Sequence, residues 1–440
     1  MGKFITSLVK YEKPYESVKK AIELAKGLEH LPEDARVFIK PNIVYWIKDT
    51  PFPKWGMITT SRVVEDVVKI LNEKDVKEII IGEGTLTEKP NDKETPADAF
   101  EKLGYNKLAE RYNVKVYNVF ERPFKKIKLT DDLEASMNAD MLESDFLVDI
   151  PVLKTHAQCM VSLGIKNLKG LINIPSRKKF HSADEHKDLD YNVAQLANKI
   201  PPSLTIIDGI YTLERGPAMD GRAYRKNILV ASSDILSADL VGAKLLGIEP
   251  STVPHLAQAA KDRNRPADLS DVEIVGEKID DLASPHEWDY IYADNDTIPL
   301  PYKKAGITGI KYHKYDKTMC TYCSGLNGVL LMAIKSAWKG KPFNNIEILT
   351  GKVMEPTPGM NVTILVGQCQ YLKNKDNPNI KKLVAIKGCP PKIEDLREKL
   401  KEAGIRVPAY FFKNIDKGPL LFLERYKGKS EFDESFYKIK

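Results

Sequence analysis

The chain has 440 residues, 42% of them apolar, and a formal charge of +6, enough apolar material for more than one hydrophobic core, so two or three domains are expected. Lysine and glutamate are interleaved instead of blocked, so no basic arm argues for nucleic acid, and the charge supports at most a mildly anionic small ligand. The start, MGKFITSLVKYEKPYES, carries no long apolar stretch, and no later segment approaches about 18 consecutive apolar residues, so neither export nor membrane spanning is expected and the chain reads as cytoplasmic.

From the amino terminus, short apolar runs alternate with helical patterns: RVFIKPNIV, SRVVEDVVKILNEK, VKEIIIGEG, a helix around AFEKLGYNKLAERY, then VKVYNVF. That rhythm predicts parallel α/β units. Uninterrupted runs such as EIIIG and LTIIDG predict strands buried on both faces, as in a doubly wound, mostly parallel sheet. A polar, Pro-containing stretch over 281–310 reads as a linker or excursion. Residues 311–440 read as a second, smaller C-terminal α/β domain: a C-x-x-C, a helix near Leu326 to Ala337, strands at NIEILTG, NVTILVGQC and KLVAIKGC, and the helix KIEDLREKLKEAG closed by Gly404. The expected division is therefore 1–280, 281–310 and 311–440. Abundant Lys and Glu beside only five Gln has the flavour of a thermophile.

In the first domain, polar residues recur where strands should end. Pro41 cannot continue a central ladder, which puts Lys40 and Asn42 of FIKPNIV at a strand's carboxyl end, the ligand edge of an open α/β sheet. Lys154, Thr155 and His156 follow the run DFLVDIPVL, and Lys166 and Asn167 precede Gly170. Such residues suit a phosphate or carboxylate, with His156 or Lys154 exchanging protons. Gly82, Gly84 and Thr85 after EIII offer a tight, phosphate-compatible turn without a complete dinucleotide fingerprint, so flavin or nicotinamide use cannot be read. Asp208, Asp234 and Asp239 fit helix caps, with Asp208 also at a strand end. His181 and His186 are five apart, a poor offset for one helical face and hence for a shared metal.

Five cysteines in a large chain without an export signal point to ligands or a reactive thiol before disulfides. Cys320 and Cys323 precede a helix, whose free N–H groups stabilise thiolates. Cys369 and Cys389 end apolar runs, so in a parallel sheet all four could converge on one edge. Four thiolates fit a 4Fe-4S cluster or a tetrahedral zinc, and the spacing alone does not separate them.

The segments VFIKPN, VLKTHAQCMVSLGIKNLKGL, IIDGIYTLERGPAMDG and ILVASSDILSADLVGAKLLGI, in that order, resemble the domain-of-unknown-function 362 family over roughly Val37 to Ala260. The resemblance implies an iron–sulfur protein with redox chemistry. The chain departs from the ferredoxin pattern, because its cysteines are dispersed. The leading expectation is an iron–sulfur oxidoreductase binding a small anionic substrate through Lys40, Asn42, Lys154, His156, Lys166 and Asn167, served by an electron-transfer partner. Three alternatives stay open: a cluster used as a Lewis acid, a zinc or ligand-binding module without turnover, and a redox dithiol at Cys320 and Cys323.

Overall fold

The computed structural model describes residues 3–84 and 92–439. The chain divides into two units, one built from Met1–Ser176, Asp190–Asp289 and Pro419–Lys440, the other from Arg177–Leu189 and Tyr290–Gly418.

The apolar runs of the first unit form one ten-stranded sheet. Its strands are β1 (Phe4–Lys10), β2 (Arg36–Pro41), β3 (Glu78–Glu83), β4 (Lys115–Asn118), β5 (Phe146–Ile150), β6 (Val152–His156), β7 (Met160–Ser162), β8 (Ser203–Glu214), β9 (Arg222–Ser232) and β10 (Val272–Gly276). The main path runs β10-β1-β9-β8-β5-β2-β3-β4, with β6 paired to β8 and β7 paired to β6. From β10 to β1 and from β8 through β4 neighbours are parallel; β9 runs antiparallel to both β1 and β8. Val37, Phe38, Ile39, Ile80, Ile81, Phe146, Leu147 and Val148 are fully buried, as strands covered on both faces require. Each such side chain contributes roughly 1.5–3 kcal/mol relative to leaving it in water.

The chain winds from β2 to β3 and β4 in one direction, then returns to lay β5 and β8 on the other side of β2. The carboxyl ends of β2 and β5 therefore flank a topological switch point, where open α/β sheets form ligand crevices. Three helices bear on that edge: α1 (Ser61–Asn72), the single turn α2 (Gly164–Asn167) and α3 (Ile235–Leu245).

The second unit holds a four-stranded parallel sheet, β11 (Ile310–Tyr312), β12 (Ile346–Leu349), β13 (Val362–Val366) and β14 (Leu383–Ile386), in sequential order. Helices α4 (Thr321–Ala337), α5 (Gln368–Asn374) and α6 (Ile393–Glu402) connect or cover it. Leu326, Leu330, Leu396 and Leu400 pack with Ile346, Ile348, Ile364 and Val384 in its core. Gly404, at φ 88°, closes α6 with its N–H on the Lys401 carbonyl, the left-handed stop that glycine favours.

The expected boundaries are redrawn. Residues 281–310 are not a linker: they carry a short strand pair, Tyr292–Ala293 with Ile298–Pro299, and a helix at Leu300–Lys304, and Ile298 and Tyr302 join the second core. The segment from Pro419 leaves the C-terminal domain for the first unit, because Tyr426, Phe432 and Tyr437 pack on Trp55 and Tyr211. No helix among the described residues is long and apolar enough to cross a membrane.

Candidate functional site

At the switch point Lys40 and Asp149 are register partners on β2 and β5, both fully buried. Pro41 ends β2, and its carbonyl accepts from Lys40 Nζ at 2.8 Å. The same ammonium donates to Glu83 Oε2 at 2.7 Å and Asn167 Oδ1 at 2.9 Å. Glu83, at the end of β3, also accepts the N–H groups of Ile43 and Gly84. Asn167 Oδ1 takes a further bond from Asn42 Nδ2 at 2.8 Å, while its amide donates to Asp149 Oδ1 at 2.8 Å. Asn42 in turn accepts from Lys154 Nζ at 2.6 Å, and Lys154 donates to the Met57 carbonyl at 2.9 Å. One connected polar network thus joins Lys40, Asn42, Lys154 and Asn167.

Burial sets the protonation of this network. Desolvation, aided by the charges of Lys166 and Lys40, brings the Lys154 ammonium down to about 7, with Glu83 opposing. Lys166 is also lowered by desolvation. Asp149 and Asp208 are raised, and Asp239 is pushed up to about 7, all first by burial. Lys154 is therefore the cation of the network able to trade a proton near neutrality.

The remaining predicted residues have specific places. Asp208 on β8 accepts the N–H groups of Thr60, just before α1, and Ile210. Asp234 caps α3 through Ser237 N–H, and Asp239 caps α2 by accepting Gly164 and Ile165 N–H at 2.6 and 2.9 Å. His156 ends β6, where its Nδ1 accepts the Gln158 N–H, so the neutral ring carries its proton on Nε2; it is not among the partners of Lys154 named above. Gly82 is corrected from a turn to an interior residue of β3, where a Cβ would lie 2.4 Å from Phe38 Cζ. Thr85 falls outside the described residues. Glu83, Asp149 and the need for two glycines are not legible in the sequence pattern alone. A Cβ at Gly170 would meet Glu83 Oε1 and Lys40 Cε at 2.6 Å, and one at Gly164 would meet carboxylate oxygens of Asp239 and Asp149 at 2.9 and 3.1 Å.

In the second unit, Cys320 is the N-cap of α4 and Cys323 lies in its first turn. Cys369 is the second residue of α5, after β13, and Cys389 follows β14. Because these strands are parallel, the loops carrying the last two thiols leave the same sheet edge. The Cys320 thiol is lowered to about 5, first by a hydrogen bond from Cys323, then, against burial, by the N–H groups of Cys323 and Tyr322 and the charge of Lys178. Cys323 is raised by that same bond, by burial, and by the charges of Cys320, Cys389 and Cys369. Cys369 is raised by desolvation and by Cys389 and Cys320, with Lys352 and Lys178 opposing. A Cβ on Gly367, just after β13, would lie 3.5 Å from Cys323 Sγ, so the C-x-x-C lies against the end of that strand.

Lys178, also missed from sequence, donates to Cys389 Sγ and to its carbonyl, each at 3.2 Å. Among the described residues no three His, Cys, Asp or Glu side chains close on a single metal-sized point; Cys323 instead shares a hydrogen bond with Cys320, and Lys178 donates to Cys389. As donors the set matches a thiolate-ligated centre, with backbone N–H groups and an ammonium to balance its negative charge. His181 Nδ1 donates to the Lys317 carbonyl at 2.8 Å, and His186 N–H to Asp184.

Residues 37–244 match the family described as "domain of unknown function (DUF362)". A thylakoid-associated protein of Synechocystis sp. is 28% identical over 123 residues, covering 28% of this chain and 38% of that protein, so the match spans less than two fifths of that relative's length. Among solved structures, the lactate racemase apoprotein from Thermoanaerobacterium thermosaccharolyticum aligns over 98% of this chain and 91% of its own at 13% identity, TM-score 0.39. A structural-genomics protein from Thermotoga maritima aligns over 54% and 60% at 14% identity, TM-score 0.30.

Proposed function

Residues 37–244 are a DUF362 domain, and from that premise we propose that the chain is an iron–sulfur protein, holding a 4Fe-4S cluster through Cys320, Cys323, Cys369 and Cys389 and acting as an oxidoreductase on a small anionic molecule. The observation supporting this most is geometric: Cys369 and Cys389 follow neighbouring parallel strands, and a Cβ on Gly367, at the end of the first of them, would lie 3.5 Å from Cys323 Sγ. When bound, such a cluster supplies one-electron exchange with an external partner.

The chain's own residues do the rest. Cys320 is held as a thiolate near neutral pH, ready to ligate without losing a proton first. In the first unit, an anion approaching Lys154 favours its ammonium form, so binding is coupled to proton uptake at Nζ, and that proton is then available to the substrate. Lys40 is neutralised by Glu83 and serves to hold Asn42 and Asn167 in place.

Individual Cys→Ser variants test the ligand set. Those at 320, 323, 369 and 389 are expected to lose the visible absorption of anaerobically prepared protein, while Cys159→Ser, in the first unit, keeps it. Full absorption in the Cys320→Ser or Cys323→Ser protein contradicts the assignment. The exposure of Cys369 and Cys389 favours one second reading, a cluster with an open iron acting as a Lewis acid; there a single serine at one of these two positions keeps its iron.

A further inference from the structure

The segment Arg177–Leu189 folds with the thiol-bearing unit and is fastened there at several points. Lys352 Nζ donates to the carbonyls of Lys178 and His181, Lys317 pairs with Asp188 at 3.1 Å, and His181 donates to the Lys317 carbonyl. This fastening delivers Lys178 to Cys389 Sγ at 3.2 Å, with its ammonium also 5.3 Å from the centre of the Tyr322 ring.

Two physical terms follow. Net charge around a cluster and hydrogen bonds to its sulfurs are the protein's main controls on reduction potential. A cation donating to a ligand sulfur favours the more negative, reduced state. We propose that Lys178 is a positioning residue for electron affinity: its bond to Cys389 Sγ raises the reduction potential of the centre held by the four cysteines. The inference rests on the cluster reading above.

The test compares wild type with K178M, K178R and K179M, all prepared anaerobically, by iron and sulfide content and by a redox titration followed by electron paramagnetic resonance. Lys179 is the exposed neighbour in sequence and controls for loss of a positive charge from this segment. K178M is expected to keep its iron and sulfide and to titrate at a more negative potential. K178R should stay close to wild type, and K179M should not move. A loaded K178M at the wild-type potential overturns the proposal, as does a shift in K179M equal to that in K178M. Iron loss from K178M also overturns it, since the lysine would then hold the centre instead of tuning it. Absence of iron from the wild type itself defeats the cluster reading first, so the two failures are distinguishable.

Discussion

Replacing Lys40 by Met removes one half of a buried ion pair. The Lys40 and Glu83 side chains are 1% and 3% exposed and meet at 2.7 Å. Breaking such a pair from one side costs about 3–5 kcal/mol, because the partner charge is left in a poor solvent. Glu83 would keep the N–H groups of Ile43 and Gly84, which places the expected loss near the lower end, about 3 kcal/mol. At about 2.1 cal/mol/K of unfolding entropy per residue, that is a fall of roughly 5 °C in Tm for a unit of about 300 residues. Scanning calorimetry of wild type, Lys40→Met and Lys40→Met with Glu83→Gln reads it directly. The double variant should recover much of the loss, since no uncompensated charge remains. A single variant within about 1 kcal/mol of wild type would refute the argument, because the pair would then be solvated instead of buried.

Gly170→Ala should destabilise the first unit by about 1–3 kcal/mol through overpacking, seen as a lower urea midpoint at constant slope, because its Cβ would lie 2.6 Å from both members of that pair. An unchanged midpoint would deny the close approach. Lys154, lowered to about 7 by burial, binds fewer protons folded than unfolded between roughly pH 7 and 10, so its contribution to stability rises across that window. Wild type should therefore gain on Lys154→Met by at most about 1.4 kcal/mol per pH unit there, and parallel stability profiles would contradict the shift. In metal-free protein, alkylation of Cys320 should titrate with a midpoint at about 5 and precede that of Cys323; a midpoint near that of an ordinary thiol would show that Cys323 and the helix N-terminus do not stabilise the thiolate.

The parallel sheet was legible because its strands are apolar runs separated by helices of 3.6-residue period, and Pro41 marked the end of β2. The sequence also marked Lys40, Asn42, Lys154 and Asn167, since Lys and Asn are conspicuous beside VFI and VLK runs. Their counter-ions were not legible: Glu83 and Asp149 look like ordinary acidic residues until the sheet order sets β3 and β5 on either side of β2. Gly164 and Gly170 were the available signals, small because carboxylates and an ammonium lie against them. The carboxyl terminus misled for a related reason. Aromatic residues at 426, 432 and 437 suit any core, and only packing on Trp55 and Tyr211 selects the first one. Lys178 lies over two hundred positions from Cys389 in a run of basic residues, where nothing local distinguishes it from its neighbours.

The most direct measurement is the iron, acid-labile sulfide and zinc content of the chain purified without oxygen. The account predicts a brown protein with about four iron and four sulfide per chain. A colourless protein carrying about one zinc, or no metal, would contradict it.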